Sequence, residues 1–181
     1  MRKMITVKIN GEERQYPQGA TYEDVANDYQ QEYENLIALA ARDGKIRELF
    51  KKLTRDCEVT FFTLKDDVGN KTYVRSATML FLKAVFDVYG REAAQSCRVE
   101  FAIGNGSYIS PKGKLNATEE NAAKIRNRMR ELVEAKTPFL KRSYSLDNAM
   151  ELFRKEGMKD KEKLFRYRRG SFVNIYEMDG Y

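Results

Sequence analysis

The side chains that most narrow the chemistry are two thiols and one that is missing. Over 181 residues the sequence contains no histidine and two cysteines, Cys57 and Cys97. A Ser-His-Asp triad, a Cys-His pair and an H-E-x-x-H zinc helix each need an imidazole as base or ligand near neutral pH, so none can be assembled. An all-thiolate zinc site needs four sulfurs in two close pairs, and the wide gap between these cysteines is no C-x-x-C redox motif. Only carboxylates remain to hold a metal. The sequence therefore offers no catalytic residue and no metal ligand set, and both thiols read as reduced and mostly buried.

Phosphate chemistry is constrained in the same way. Gly104-x-Gly106 lacks the third glycine and the following helix of a dinucleotide-binding turn, and reads as an ordinary turn. No G-x-x-x-x-G-K-[ST] stretch occurs, so these residues carry no expected nucleotide cofactor and no phosphoryl transfer of their own. Basic residues are the remaining signal. The net charge is +6, and of 33 Lys/Arg only 10 fall before residue 65 against 11 Asp/Glu, so the excess lies in the second part. Arg154 to Arg169 alone carries eight basic and three acidic side chains. Such a field attracts phosphates, and it also suits a solvated face. The candidates for RNA phosphates are Lys124, Arg128, Arg166, Arg168 and Arg169, with Tyr108 or Tyr167 placed to stack on a base.

The elements that must position these groups follow from patterning. Residues 4–64 read as two strands around Asn10-Gly11, a helix capped by Thr21 with Asp24 three residues on, a hairpin around Asp43-Gly44, and a last strand through Val59-Thr-Phe-Phe-Thr63. The order is ββαβββ. Lys65 to Lys71 reads as a polar connection, which gives domains 1–67 and 68–181. Beyond it, Arg75 to Tyr89 predicts a buried helix closed by Gly90, followed by a hairpin over Arg98–Ser110. Thr118 caps a helix with Ala122, Ile125, Met129, Leu132 and Val133 inward and Lys124, Arg126, Arg128 and Arg130 outward. A strand at 139–144, a helix capped by Ser145 and stopped by Gly157, and a hairpin pairing 164–167 with 172–176 complete the expectation. The fold class is α+β. Nothing resembles a membrane span or a signal segment, so the expected location is the cytoplasm.

The first segment resembles the ubiquitin-like β-grasp of the TGS domain. The residues that carry the resemblance are Ile5-Thr-Val-Lys-Ile-Asn-Gly11, Gly19-x-Thr21-x-x-Asp24-Val-Ala26 and Ala38-Leu-Ala-Ala-Arg-Asp-Gly44. TGS domains are binding or regulatory appendages, and such a fold supplies no reaction by itself.

The second segment resembles the second additional domain of threonyl- and alanyl-tRNA synthetases, the editing module that hydrolyses mischarged tRNA. The matching stretches are Arg75-Ser-Ala-Thr-Met79-Leu, Ala102-Ile-Gly-Asn-Gly-Ser-Tyr108, Thr118 through Ala135 with Pro138-Phe139, and Arg169-Gly-Ser-Phe-Val-Asn-Ile-Tyr176. In that family the helix opens H-S-x-x-H, and the last strand runs through D-x-C with a histidine four residues later. Here the corresponding positions are Arg75, Met79, Tyr176 and Gly180. Arginine is no base or metal ligand, and methionine, tyrosine and glycine supply no strong zinc ligand in that company, so the resemblance implies a vestigial site without editing activity. Arg75 suits a phosphate, or an ion pair with Asp66 or Asp67.

A TGS domain followed by an editing-like domain without its ligands is similar to the front of bacterial uridine kinase-like proteins, where a nucleoside kinase domain using ATP and Mg²⁺ follows in cis. The chain ends just after an expected strand, which reads as a fragment lacking its downstream catalytic domain. Three functions stay open: a regulatory region of such a kinase, binding a small nucleotide or amino-acid ligand; a binder of the tRNA acceptor end, related to threonyl-tRNA synthetase; and an interaction module whose β-grasp edge adds a strand.

Overall fold

The computed structural model describes residues 3–104, 106–111 and 115–181, so Asn105 of the expected turn lies outside the described residues. These pack as two compact α+β units that divide at Ala77/Thr78. In the first, β1 (Met4–Ile9) and β2 (Glu12–Pro17) form a hairpin, and α1 (Tyr22–Tyr29) and a 3-10 turn lead to β3 (Ile37–Arg42), β4 (Lys45–Arg47) and β5 (Cys57–Thr63). The expected ββαβββ order is present. The strands make one mixed sheet in the order β2-β1-β5-β3-β4, with β1 and β5 parallel.

Local chemistry explains each element. Asn10 and Gly11 take φ of 50° and 89°, and Asp43 and Gly44 take 50° and 75°, the left-handed pairs that a two-residue hairpin turn demands. Thr21 and Asp24 close a reciprocal capping box at the start of α1. Tyr22, Val25, Ala26 and Tyr29 of that helix are buried with Ile5, Val7, Ile9, Val59 and Phe61 of the sheet, which forms the core of the unit. Tyr16 donates to Asp28 Oδ2 at 3.0 Å, and burial pushes its phenol up to about 12.

The next helix begins earlier than its sequence suggests. α2 spans Asp67–Ser96, so the polar stretch expected as a connection is largely its first turn. The Asp66 carboxylate accepts from the Thr63 backbone N–H at 2.7 Å and from its hydroxyl at 2.9 Å, and the Asn70 N–H donates to the Asp66 carbonyl at 2.8 Å. Gly69, within that polar stretch, is a close-approach residue: a Cβ there would lie 2.0 Å from the Thr63 carbonyl oxygen. At the other end the helix breaks at Gly90, whose φ of 83° and ψ of 177° suit glycine alone. Nor is Arg75 to Tyr89 buried all round, since Arg75 and Val88 are exposed.

In the second unit, β6 (Arg98–Ile103) and β7 (Gly106–Ser110) pair as expected. α3 (Glu119–Glu134) follows, capped by Thr118, and then β8 (Leu140–Ser145) and α4 (Leu146–Lys155), capped by Ser145. The expected hairpin of 164–167 with 172–176 does not form. Leu164 to Arg166 belong to α5 (Lys159–Arg166), with Tyr167 just past its end, and β9 (Phe172–Glu177) pairs with β8 instead. The helix wins because Lys159 to Arg166 contains no β-branched residue, and because Glu162 accepts from Arg166 one turn on and from Arg154 of α4. Phe165 then stacks on Phe153 at 5.2 Å between ring centroids, within a small core with Ala149 and Val173.

The inward face of α3 is rotated from the expected one. Ile125, Met129 and Leu132 face the core, but Ala122 and Val133 are exposed, while Asn121 accepts from the Tyr89 hydroxyl at 2.7 Å. Arg128, expected outward, turns in toward a shielded carboxylate on α2.

Candidate nucleic-acid interface

That carboxylate belongs to a charged network at the centre of the second unit. Lys83, on α2, is a buried cation in an otherwise apolar stretch. Its Nζ lies 2.7 Å from Asp87 Oδ1 and 3.4 Å from Asp179 Oδ2, and it donates to the Asp179 carbonyl at 2.6 Å. Arg128 Nε reaches the second Asp87 oxygen at 2.9 Å, and its Nη1 reaches Glu131 at 2.8 Å. One ammonium thereby ties helix α2 to the turn that ends the described chain. In that turn Met178 and Tyr181 exchange both backbone hydrogen bonds around Asp179 and Gly180, at φ of 45° and 80°. Sequence patterning missed Lys83, because a lysine inside an apolar helix is ordinarily read as a surface residue; its signal was the acid one turn on, at Asp87.

The four positions expected to correspond to editing ligands lie in different surroundings. Met79 packs on the core of the second unit with Ala84, Val85 and Met178. Gly180 supplies the left-handed backbone of the closing turn. Tyr176 lies on β9, 46% exposed, with Lys141 Nζ 5.5 Å from its ring centroid. Arg75 is exposed on α2 in the first unit. Its suggested acids are engaged elsewhere: Asp66 with Thr63, and Asp67 with Lys71 at 2.6 Å. Among the described residues no three of His, Cys, Asp or Glu come together to hold a metal ion. Burial pushes both thiols, Cys57 and Cys97, up from the ordinary cysteine range.

The basic candidates separate by their partners. Lys124 is bound to Glu120 at 2.7 Å, which raises its own affinity for a proton. Arg128 serves the network just described. Arg166 shares Glu162 Oε1 with Arg154, and those two guanidinium groups hold that carboxyl below the usual range. Arg168 and Arg169 differ: among the described residues neither has an ion-pair partner, and Arg168 lies 5.9 Å from the Phe165 ring centroid. Tyr167 beside them is 88% exposed, and Phe172 at the head of β9 is 67% exposed. The other proposed stacker, Tyr108, is on β7, where its ring stacks on Phe101 at 5.2 Å with both side chains exposed.

In the first unit a shallow depression of about 720 Å³ is lined by Tyr16, Asp24, Asp28 and Lys52. Its acids already cap α1 and accept from Tyr16. Among the described residues no helix is long and apolar enough to cross a membrane.

No protein-family profile matches the chain. Curated proteins do. The chain is 28% identical over 187 residues to a threonine-tRNA ligase of Thermotoga neapolitana, covering 96% of this chain and 28% of that protein. It is 28% identical over 186 residues to the threonine-tRNA ligase of Thermotoga maritima, covering 94% and 28%. A threonine-tRNA ligase of Carboxydothermus hydrogenoformans is 25% identical over 183 residues, covering 95% and 28%. The similarity thus runs through both units, and the chain spans just over a quarter of the length of these relatives. It supports a synthetase-related α+β chain.

Proposed function

We propose that this chain is a non-catalytic tRNA-binding module related to threonyl-tRNA synthetase. In this reading the first unit is TGS-like and the second is editing-like without the editing chemistry. The observation that carries this reading is the pair Arg168 and Arg169, exposed cations without an acidic partner among the described residues, set between exposed Tyr167 and Phe172. Unpaired guanidinium groups beside aromatic rings recognise a phosphate backbone and its bases. The synthetase relatives favour RNA as the partner, at the acceptor end. Arg75, Met79, Tyr176 and Gly180 supply no general base, so the bound ester would not be cleaved.

A second reading makes the two units the regulatory region of an ATP- and Mg²⁺-dependent uridine or nucleoside kinase in cis. It rests on the departures at those four positions, and the synthetase relatives favour the first reading over it.

The test is a binding assay with aminoacylated tRNA. The protein is expected to retain tRNA in a gel-shift or anisotropy titration while the aminoacyl ester decays no faster than in buffer. Failure to bind tRNA at low salt, or accelerated deacylation by pure protein, would overturn the proposal.

A further inference from the structure

The first unit brings three cations to one place. In the ladders of β3 with β4 and β5, Arg42 pairs with Lys45 and Val59, and Ala40 pairs with Arg47 and Phe61. Ala40, Val59 and Phe61 are buried with α1, so Arg42, Lys45 and Arg47 share the face of the sheet that this helix covers. The two arginines are half-buried and Lys45 is exposed. Like charges directly opposite across a ladder, as Arg42 and Lys45 are, destabilise a sheet. Among the described residues none of the three has an ion-pair partner, and Arg42 donates to the Thr54 hydroxyl at 3.2 Å. The acids around them are engaged elsewhere: Asp43 with Arg55 and the Glu58 N–H, and Asp56 with the Thr6 N–H.

A second observation comes from α1. The Tyr22 side chain is enclosed, and its hydroxyl makes no hydrogen bond among the described residues. Burial pushes this phenol up, and Arg42 and Arg47 stand close enough to work against the rise. A buried O–H beside two cations lacks the acceptor that such a donor ordinarily has. Burial raises Tyr29 as well, the other enclosed phenol without a hydrogen bond, but its charged surroundings include Glu12, Glu32 and Asp28.

We infer that Arg42, Lys45, Arg47 and the Tyr22 hydroxyl form a binding site for the terminal phosphate of a small phosphate ester or diphosphate. The inference stands apart from the RNA-binding reading, which rests on the second unit. Opposed residues on a ladder lie about 5 Å apart and alternate residues on a strand about 7 Å, so one phosphate is within reach of all three cationic heads. A terminal phosphate carries a charge of about −2 and three acceptor oxygens, enough to engage two guanidinium groups and accept from the phenol. A backbone phosphodiester or a carboxylate, with a single charge, balances these cations less well. The first amides of α1 do not contribute: those of Tyr22 and Glu23 bind the carbonyls of Lys51 and Leu49, and that of Asp24 binds Thr21 Oγ1. Side chains carry the site.

The test titrates inorganic pyrophosphate into the full chain by calorimetry at fixed ionic strength, with chloride as the comparison anion and tRNA affinity measured beside it. Saturable binding of pyrophosphate and none of chloride is expected. Arg42→Gln and Arg47→Gln should each weaken it at least about tenfold, the usual loss of a hydrogen-bonded charge. Tyr22→Phe should weaken it about fivefold while unfolding at the same denaturant concentration as the parent, because the hydroxyl has no partner to lose in the free protein. The Arg42→Gln/Arg47→Gln double variant is expected to hold tRNA within about twofold of the parent, since Arg168 and Arg169 remain. If the parent ignores pyrophosphate yet binds tRNA, this inference fails and the RNA-binding reading stands. If pyrophosphate binds and tRNA does not, the reverse holds. Unchanged pyrophosphate affinity in both arginine variants, or a tRNA loss in the double variant as large as its pyrophosphate loss, would also overturn the inference.

Discussion

Lys83→Ala is expected to destabilise the second unit by about 3 kcal/mol, the usual consequence of removing one partner from a buried ion pair. The ammonium is almost fully enclosed, its side chain 3% exposed, and bridges Asp87 to both the carbonyl and the carboxylate of Asp179. Deleting it leaves the Asp179 carbonyl without this donor and leaves the Asp87 side chain, 16% exposed, with Arg128 as its remaining ion-pair partner among the described residues. Arg128 keeps the loss from being larger. Lys83→Met, which retains the apolar stem, is expected to cost roughly half as much. Chemical denaturation gives the magnitude. Hydrogen exchange at the Met178 and Tyr181 amides gives the location, because these close the turn that Lys83 holds. The effect is local, because the turn continues directly from β9. Unchanged stability and unchanged protection of both amides would contradict this assignment.

Gly69→Ala is expected to destabilise the first unit, against the ordinary preference of helices for alanine. At an exposed helical site the change gains up to about 1 kcal/mol. Here the new methyl carbon would lie 2.0 Å from the Thr63 carbonyl oxygen and 2.9 Å from its carbon. Both are backbone atoms, so no side chain can swing away. That carbonyl also accepts from the Asp66 N–H at 3.1 Å, and the Asp66 carboxylate binds Thr63 in return, so the corner is fixed from both sides. Relieving the overlap must move the end of β5 or the start of α2. The clash outweighs the propensity, for a net loss of about 2 kcal/mol by denaturant unfolding. A variant as stable as the parent would show that this close approach does not exist.

Where the chain announces its elements, it does so through side chains that act on their own backbone. Asn10-Gly11 and Asp43-Gly44 dictate hairpins, and Thr21, Thr118 and Ser145 start helices, because each satisfies or bends the peptide within a few residues. What escaped the sequence depends on distant partners. Gly69 looks like a turn residue until β5 is placed against it. Arg166 and its neighbours look like a strand until Arg154 arrives from α4 to share Glu162. The candidate site follows the same division. Composition marked the basic run, Tyr108 and Tyr167. Which cations lack an acidic partner among the described residues, and that Phe172, Asn174 and Tyr176 stand on one face of a ribbon, required the pairing of β8 with β9.

The most direct test of RNA binding through Arg168 and Arg169 is the salt dependence of tRNA affinity for the parent and for the Arg168→Ala/Arg169→Ala double variant. Each phosphate contact contributes about 0.7 to 0.9 to the slope of log K against log[salt]. The account predicts a steep negative slope for the parent and one shallower by about 1.5 for the double variant, with weaker binding at every salt concentration. A flat response in the parent, or identical slopes for the two proteins, would contradict it.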